Sequence, residues 1–193
     1  NFKILDLCAA PGGKAFQLLS KNKNVMLNDI NKKRIGILKD NLLRLKFNSK
    51  ITNLDALTFS EENKFDIVIL DSPCSSIGTI RKNPEIFFKS SEPNFKSLKK
   101  LQGDLLEKSA KLINKNGKII YMVCSFLYSE TIEPINNFLN RNKNFSILKF
   151  NTDSKLIELD KLLSSEGYFL TLPKKYKNNY IDGFFAIQLL KND

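Results

Sequence analysis

The stretch that most narrows what this chain can fold into is FKILDLCAAPGGK, residues 2–14. Phe2 to Leu7 gathers apolar residues in a run too short for a helix, the pattern of a strand buried within a parallel sheet. The run breaks at Cys8-Ala9-Ala10-Pro11-Gly12-Gly13, and helical spacing resumes from Lys14 with Phe16, Leu18 and Leu19 on one face. Strand, small-residue turn and helix make the first half of a βαβ unit. Open parallel sheets take their ligands beyond the carboxyl ends of such strands. Pro11 fixes φ and removes an N–H, while Gly12 and Gly13 permit positive φ or a close approach of a ligand to the backbone. The glycines do not spell the dinucleotide pattern G-x-G-x-x-G. Lys14 is followed by Ala15 rather than a hydroxyl residue, so the phosphate-and-magnesium loop is excluded too. Two readings stand: a loop that wraps a compact, non-phosphorylated cofactor, and an ordinary tight strand-to-helix turn.

Strand and helix then keep alternating. Asn24–Leu27 reads as a second strand, and Lys32–Leu45 as a helix with Ile35, Leu38, Leu42 and Leu45 on one face. Lys50–Leu54 and Phe65–Leu70 read as the third and fourth strands. The polar, proline-containing connection over 75–95 is too long for a routine loop. Ser97–Ile113 has helical spacing, stopped at Asn114-Lys115-Asn116-Gly117 in the manner of a C-cap. Lys118–Val123 is a fifth strand, Ser129–Arg141 a helix and Phe145–Phe150 a sixth strand. After a helical or irregular Ser154–Ser165, Gly167–Leu172 reads as a short strand and Gly183–Lys191 as a final, antiparallel one. The expectation is an α/β, doubly wound, Rossmann-like fold: a mostly parallel sheet of about seven strands, its last strand antiparallel, with helices on both faces. In that topology the strand ends gather along one edge. Those ends are the turn from Asp6 to Gly13, Asp29, Asp55, Asp71 to Cys74, and Cys124.

The composition is that of a globular protein, 42% hydrophobic and 26% charged over 193 residues, which suits a single domain spanning 1–193. A formal charge of +11 points to a polyanionic partner such as nucleic acid, although lysine-rich bias alone produces the same surplus. No stretch reaches the ~18 apolar residues of a membrane span. Three cysteines without C-x-x-C spacing, and no histidine, argue against a disulfide framework or a zinc site and fit a reducing, cytoplasmic setting. Without histidine, catalysis falls to cysteine, carboxylate or lysine. The sequence opens almost inside a strand and without an initiator Met, as an excised domain would.

Asp29, closing the second strand, stands where an acid accepts hydrogen bonds from ribose hydroxyls, or equally where one caps the following helix. Asp55 closes the third strand, within reach of the base of the same nucleoside. A cysteine ending an apolar strand is ordinarily structural. Cys74 and Cys124 end adjacent strands on the same edge, Cys74 beside an aspartate, and that raises the case for reactive thiols. Cys8 is accounted for by packing.

DLCAAPGGK at Asp6–Lys14, DSPCSSIG at Asp71–Gly78 and VCSF at Val123–Phe126, in that order, resemble the Sun/Nop (RsmB-like) family of RNA cytosine-5 methyltransferases. RKNPEIF at Arg81–Phe87 is similar to that family's segment after its first cysteine, and IDGFFAIQLLK at Ile181–Lys191 to its closing strand. The resemblance covers essentially the whole chain and implies a class I methyltransferase fold. It implies S-adenosylmethionine held by Cys8, Ala9, Ala10, Pro11, Gly12, Gly13 and Lys14, by Asp29 at the ribose and Asp55 at the adenine, with Arg34 and Asp71 completing the set. It further implies Cys124 as nucleophile and Cys74 as the second cysteine that releases the methylated RNA, with no metal. Asp71 would hydrogen-bond the pyrimidine and is expected to be buried and protonated. Lys14 would lower the thiolate pKa or contact phosphate, unless it is simply a solvated first-turn lysine. Glu130 falls where the family often carries an acid, and a helix N-terminal acid explains it as well.

Two departures stand out. Val123 occupies a position usually held by Thr, which removes a local hydroxyl. The family also carries N-terminal sequence that helps grip RNA, so the expectation is a catalytic domain lacking that region. The resulting expectation is a cytoplasmic, monomeric RNA (cytosine-5)-methyltransferase domain acting on rRNA or tRNA, with no membrane partner. Arg81-Lys82, Lys99-Lys100 and Lys174-Lys175 are candidates for phosphate contacts. The principal rival is a catalytically silent RNA-binding scaffold, against which both cysteines count. An adenine amino-methyltransferase would want an aromatic where Cys74 stands, and a small-molecule methyltransferase has little use for paired cysteines.

Overall fold

The computed structural model describes residues 2–21, 23–62, 64–88, 93–150, 162–176 and 178–193. In chain order the elements are β1 (Lys3–Asp6), α1 (Gly13–Leu19), β2 (Asn24–Asn28), α2 (Lys32–Leu45), β3 (Ile51–Thr52), β4 (Phe65–Asp71), α3 (Phe95–Leu112) and β5 (Ile113–Val123). They continue with α4 (Ile132–Arg141), β6 (Phe145–Leu148), β7 (Phe169–Thr171), β8 (Lys174–Tyr176), β9 (Asn179–Ile181) and β10 (Phe184–Lys191). An eight-stranded sheet runs β3-β2-β1-β4-β5-β10-β6, with β7 paired to β10 off that path. β3, β2, β1, β4 and β5 pair in parallel, and β10 is antiparallel to β5, β6 and β7.

Side-chain alternation along the strands builds two cores, one on each face. Ile4, Val25, Leu27 and Ile69 face Ala15, Leu19, Ile35, Leu38 and Leu42 of α1 and α2. Their sequence neighbours Leu5, Met26, Val68 and Leu70 face Leu105, Leu106, Leu112, Ile135 and Phe138 of α3 and α4. Fully burying each such side chain is worth about 1.5–3 kcal/mol, so this two-sided burial fixes the register of the central strands. The sheet therefore has helices on both faces, as expected. The strand order reverses between β1 and β4, opening the crevice where ligands of such sheets bind.

Several boundaries differ from those the sequence suggested. The sheet holds one strand more than seven, and a separate β8–β9 hairpin was not foreseen. β3 shrinks to two residues because the chain after it bonds to side chains instead of a ladder. Asn53 Nδ2 donates to the carbonyls of Asp29 and Ile30, and the Leu54 N–H donates to Asn28 Oδ1. Asn114–Gly117 does not cap α3, which ends at Leu112 with Ile113 already extended. Those residues instead bulge within β5, whose register with β4 jumps from Phe65↔Ile113 to Ile67↔Lys118. The 75–95 connection holds two short 3-10 turns, Ile77–Thr79 and Pro84–Phe88. Another, Tyr128–Glu130, replaces the start expected for α4. Of the segment Ser154–Ser165, residues 154–161 lie outside the described residues.

Candidate active site

Beyond β1 the chain turns at Gly12, whose φ is +111°; a Cβ there would lie 2.2 Å from the Phe16 ring and 2.7 Å from Leu38, so only glycine lets α1 start beneath α2. Gly13 has nothing within 4 Å of its Cβ position, so this side of the turn is open. The turn is stitched to the end of β2 by Ala9 N–H to Asn28 O (2.8 Å) and Ala10 N–H to Asp29 Oδ2 (3.1 Å). Asp29 is buried, and its Oδ1 accepts from the Asn31 N–H (2.8 Å) and the Arg34 guanidinium (3.1 Å). Asn31, not Asp29, caps α2, accepting from the Arg34 N–H. Asp55 is exposed, its carboxylate accepting from Leu57 N–H in an Asx turn (2.9 Å). Cys8, Asp29, Arg34, Asp55 and Pro73 line a cavity of about 170 Å³ whose remaining wall is apolar: Ile30, Leu57, Leu101 and Leu105 among others. Burial, then the neighbouring carboxylates, push the Cys8 thiol up to about 12, so it is a packing residue on that wall.

The thiols lie one strand further along. β4 and β5 run parallel with Asp71 opposite Met122, so the chain leaves both strands side by side. Cys74 and Cys124 meet there with their sulfurs 3.3 Å apart. Ser76 Oγ is 3.3 Å from Cys124 Sγ. Ser76 holds φ +61°, a left-handed conformation that costs a non-glycine residue roughly 1–2 kcal/mol. The hydrogen bond from Cys74, seconded by Ser76, outweighs burial and lowers Cys124 to about 6, while the same bond and burial push the Cys74 thiol upward. The contact favours Cys124 as the more acidic thiol of the pair.

Asp71 and Lys14 form an ion pair at this edge, their side chains 33% and 36% exposed. Asp71 is thus not buried as expected, because it stands where β4 leaves the sheet. Lys14 pairs through its ammonium with Asp71, with the Phe184 ring 5.8 Å away, and the leading influences that lower Cys124 are Cys74 and Ser76. Asp6, at the end of β1, is buried like Asp29, and burial and then the Asp71 charge raise its carboxyl to about 7. Its Oδ1 has no hydrogen-bond partner among the described residues.

Behind the thiols, Gly78 N–H donates to Cys124 O (3.0 Å) and Gly183 N–H to Gly78 O (2.8 Å). A Cβ on Gly78 would sit 2.1 Å from Gly183 O, so that glycine sets the approach of the closing strand to the nucleophile's strand. The candidate phosphate contacts are largely engaged within the protein: Arg81 and Lys82 with Asp182, Lys99 with Glu133, Lys100 with Asp104. Sequence reasoning passed over Ser75, Ser76 and Gln102 and left Glu130 ambiguous. Gln102 carried a readable signal, a polar residue on the apolar face of α3.

A mostly parallel sheet whose order reverses beside a carboxylate-rimmed pocket, with two thiols in contact at the next strand ends, defines a Rossmann-like α/β domain with a two-cysteine site. Comparison narrows this. The 16S rRNA methyltransferase RsmB/F family profile matches residues 1–190, and the chain belongs to that family. It is 33% identical over 174 residues to Ribosomal RNA small subunit methyltransferase B of Photorhabdus laumondii, covering 86% of this chain and 41% of the relative. Against the same-named protein of Serratia proteamaculans it is 31% identical over 194 residues, covering 98% and 42%. The chain thus spans about two-fifths of the length of the curated relatives it matches. Among solved structures, the crystal structure of PH0851 superposes with a TM-score of 0.84 at 32% identity, over 97% of this chain and 42% of that one. NSun6 from Pyrococcus horikoshii with SFG gives 0.84 at 22% identity, over 100% and 48%, a likeness of fold alone.

Proposed function

We propose that this chain is the catalytic domain of an RNA (cytosine-5)-methyltransferase. In this reading it moves a methyl group from S-adenosylmethionine to carbon 5 of a cytosine in rRNA or tRNA, in the cytoplasm, with residues 1–193 acting as one unit. The observation that carries the reading is the 3.3 Å contact between Cys74 and Cys124 at the ends of β4 and β5. Cytosine C5 is a poor nucleophile, and methylating it calls for one thiol to activate the ring and a second group to let it go. Family membership supports RNA as the substrate.

The pocket fits the cofactor: an apolar slot for the adenine, Asp29 and Asp55 for hydroxyl and amino groups, and an open side at Gly13. S-adenosylmethionine would supply an electrophilic methyl group. The Cys124 thiolate adds to carbon 6 of the cytosine, forming an S–C bond with its own electron pair and displacing the C5–C6 π pair, so that carbon 5 becomes nucleophilic and would take the methyl, the cofactor leaving as S-adenosylhomocysteine. Asp71 stands at the strand end to hydrogen-bond the ring as charge develops, with Lys14 beside it. Once Cys124 is bound to carbon it no longer accepts the Cys74 proton, and the main influence holding Cys74 as a thiol is gone. Cys74 then ionises, giving its proton to solvent, and takes the proton from carbon 5, while the S–C6 bond breaks to restore the C5–C6 double bond and return the Cys124 thiolate. The target base must stand outside a helix for this to occur.

The test is a denaturing gel of Cys74→Ala protein with S-adenosylmethionine and cytosine-containing rRNA and tRNA. A covalent protein–RNA band is expected, absent when Cys124 is also Ala. Cofactor binding without a band, across both RNAs, would overturn the reading in favour of a silent RNA-binding scaffold.

A further inference from the structure

Cys74 belongs to no regular element. The β4–β5 ladder ends at Asp71↔Met122, one more backbone bond follows from Ser72 N–H to Met122 O (2.9 Å), and residues 72–76 are irregular. Between the backbone bonds at Ser72 and at Gly78, which donates to the Cys124 carbonyl, side chains hold the residues on either side of Cys74. Gln102 Nε2 donates to the carbonyl of Pro73, the residue before it (3.0 Å). Glu130 takes the residue after it with both oxygens: Oε1 accepts the Ser75 N–H (2.8 Å) and Oε2 the Ser75 hydroxyl (2.6 Å). The Glu130 backbone is anchored in turn to the strand that carries Cys124, its carbonyl accepting from the hydroxyl of fully buried Tyr121 (2.7 Å). Glu130 thus spans the two loops, its backbone on one and its carboxylate on the other.

The carboxylate is 1% exposed and its partners are neutral donors, Ser75 twice and Gln102 Nε2 at 3.4 Å. A buried carboxylate without a cation is costly, and an apolar side chain of equal bulk fills space more cheaply. What the carboxylate adds is direction. Cys124 owes its thiolate character first to the bond from Cys74, and a weak S–H donor is lost with a small displacement.

We propose that Glu130 is the positioning residue of the thiol pair, holding the Cys74 loop against Cys124 through its double hydrogen bond to Ser75. This rests on the two-cysteine reading above and extends it to a residue that touches neither RNA nor cofactor. The charged and titratable groups facing the pair are Asp71 from β4, which opposes ionisation of Cys124, Lys14 from α1 paired to Asp71, Tyr121 from β5, and Glu130 itself. Because the Glu130 charge also acts on Cys74, the test must separate charge from geometry.

Glu130→Gln does so: it keeps an acceptor for the Ser75 N–H and reverses the second bond, while losing the charge. Glu130→Leu keeps the bulk and loses both bonds. Alkylation of Cys124 by iodoacetamide, read on its peptide by mass spectrometry from about pH 5 to about pH 9, gives the midpoint of thiolate formation. Wild type and Glu130→Gln are expected to share a midpoint near 6, and Glu130→Leu to rise by about one unit or more, slowing the reaction at pH 6 about fivefold. Ser75→Ala, which removes only the hydroxyl bond, is expected to rise by less. A folded Glu130→Leu protein with a lower melting temperature and an unmoved midpoint would reduce Glu130 to a structural residue. Should that variant fail to fold, an unmoved midpoint in Ser75→Ala overturns the proposal. None of this requires methyl transfer, so a wild type that methylates no RNA would sink the functional reading and leave the positioning result standing.

Discussion

On the cofactor side of the carboxyl edge, Asp29 is held by Asn31, Arg34 and Ala10, which lie 2, 5 and 19 residues away, beside a strand end and a helix cap. On the thiol side the Cys74 loop is held by Gln102 and Glu130, 29 residues from Pro73 and 55 from Ser75. Both sides show well-placed polar groups, but the bonds that hold Asp29 come from nearer in sequence, even though Pro73, Leu101 and Leu105 complete the wall of its cavity. The second exists only once α3 and the turn before α4 have packed on the sheet. The hydrogen bonds of Asp29 on the proposed cofactor pocket should therefore survive distant substitutions that disturb the thiols.

Asp6 stands at the join, at the end of β1 with the charges of both Asp71 and Asp29 acting on it. Burial raises its carboxyl from an ordinary 3.8 to about 7. The folded state then holds a proton that the unfolded chain releases. Its contribution to stability is complete below about pH 4, falls as pH rises toward 7 and is lost above it. A shift of this size corresponds to about 4 kcal/mol over that window. Asp6→Asn has no such proton to lose. Paired urea titrations at pH 4 and pH 7.5 should show the variant gaining on wild type by up to that amount; equal pH dependence in the two would mean Asp6 is not protonated in the fold.

The same division between local and distant contacts explains what was legible in the sequence. The strand runs at Ile4, Val25 and Phe65–Leu70, the α2 stripe of Ile35, Leu38 and Leu42, and the turn at Gly12 are local patterns, and they placed the sheet and its carboxyl edge correctly. The meeting of Cys74 with Cys124 followed from strand order. Glu130 was legible only as an acid with two readings, because its role depends on Ser75 and Gln102 arriving from elsewhere, and nothing in a helical or strand period marks it. Asp71 was misjudged for a related reason: the sequence placed it at a strand end, but that this end leaves the sheet partly exposed, with Lys14 paired to it, is set by the packing of other elements. Gly117 had the look of a helix stop and instead serves a bulge, where a Cβ would press on Ile113 and the Asp66 carbonyl.

Removing the donor thiol sharpens the comparison from the other side. In Cys74→Ala, Cys124 keeps Ser76 but loses the bond that lowers it most, so its alkylation midpoint should rise from about 6 toward the ~8.5 of an ordinary cysteine. At pH 6.5 that is a slowing on the order of tens-fold. Cofactor affinity, measured by calorimetry on the same protein, should stay within about twofold, because no cavity-lining contact is touched. Coupled losses in both would show that the two halves are not independent. The adduct experiment with this variant is accordingly best run near pH 8.5, where Cys124 is ionised with or without its partner.

The smallest effect is expected at Asp55, and it discriminates within the cofactor side. Asp29 accepts three hydrogen bonds in a buried position, so Asp29→Ala strands backbone N–H groups and costs stability, about 1–3 kcal/mol for each one left unpaired. A weaker affinity in that variant would be uninterpretable. Asp55 is exposed and accepts only the Leu57 N–H, so Asp55→Ala should cost no more than about 1 kcal/mol in folding. If its carboxylate also receives the adenine amino group, the affinity for S-adenosylmethionine should fall about tenfold, roughly 1.4 kcal/mol, with the melting temperature nearly unchanged. Unchanged affinity would remove Asp55 from the binding set and leave Asp29 and the turn at Gly12 and Gly13 to hold the nucleoside.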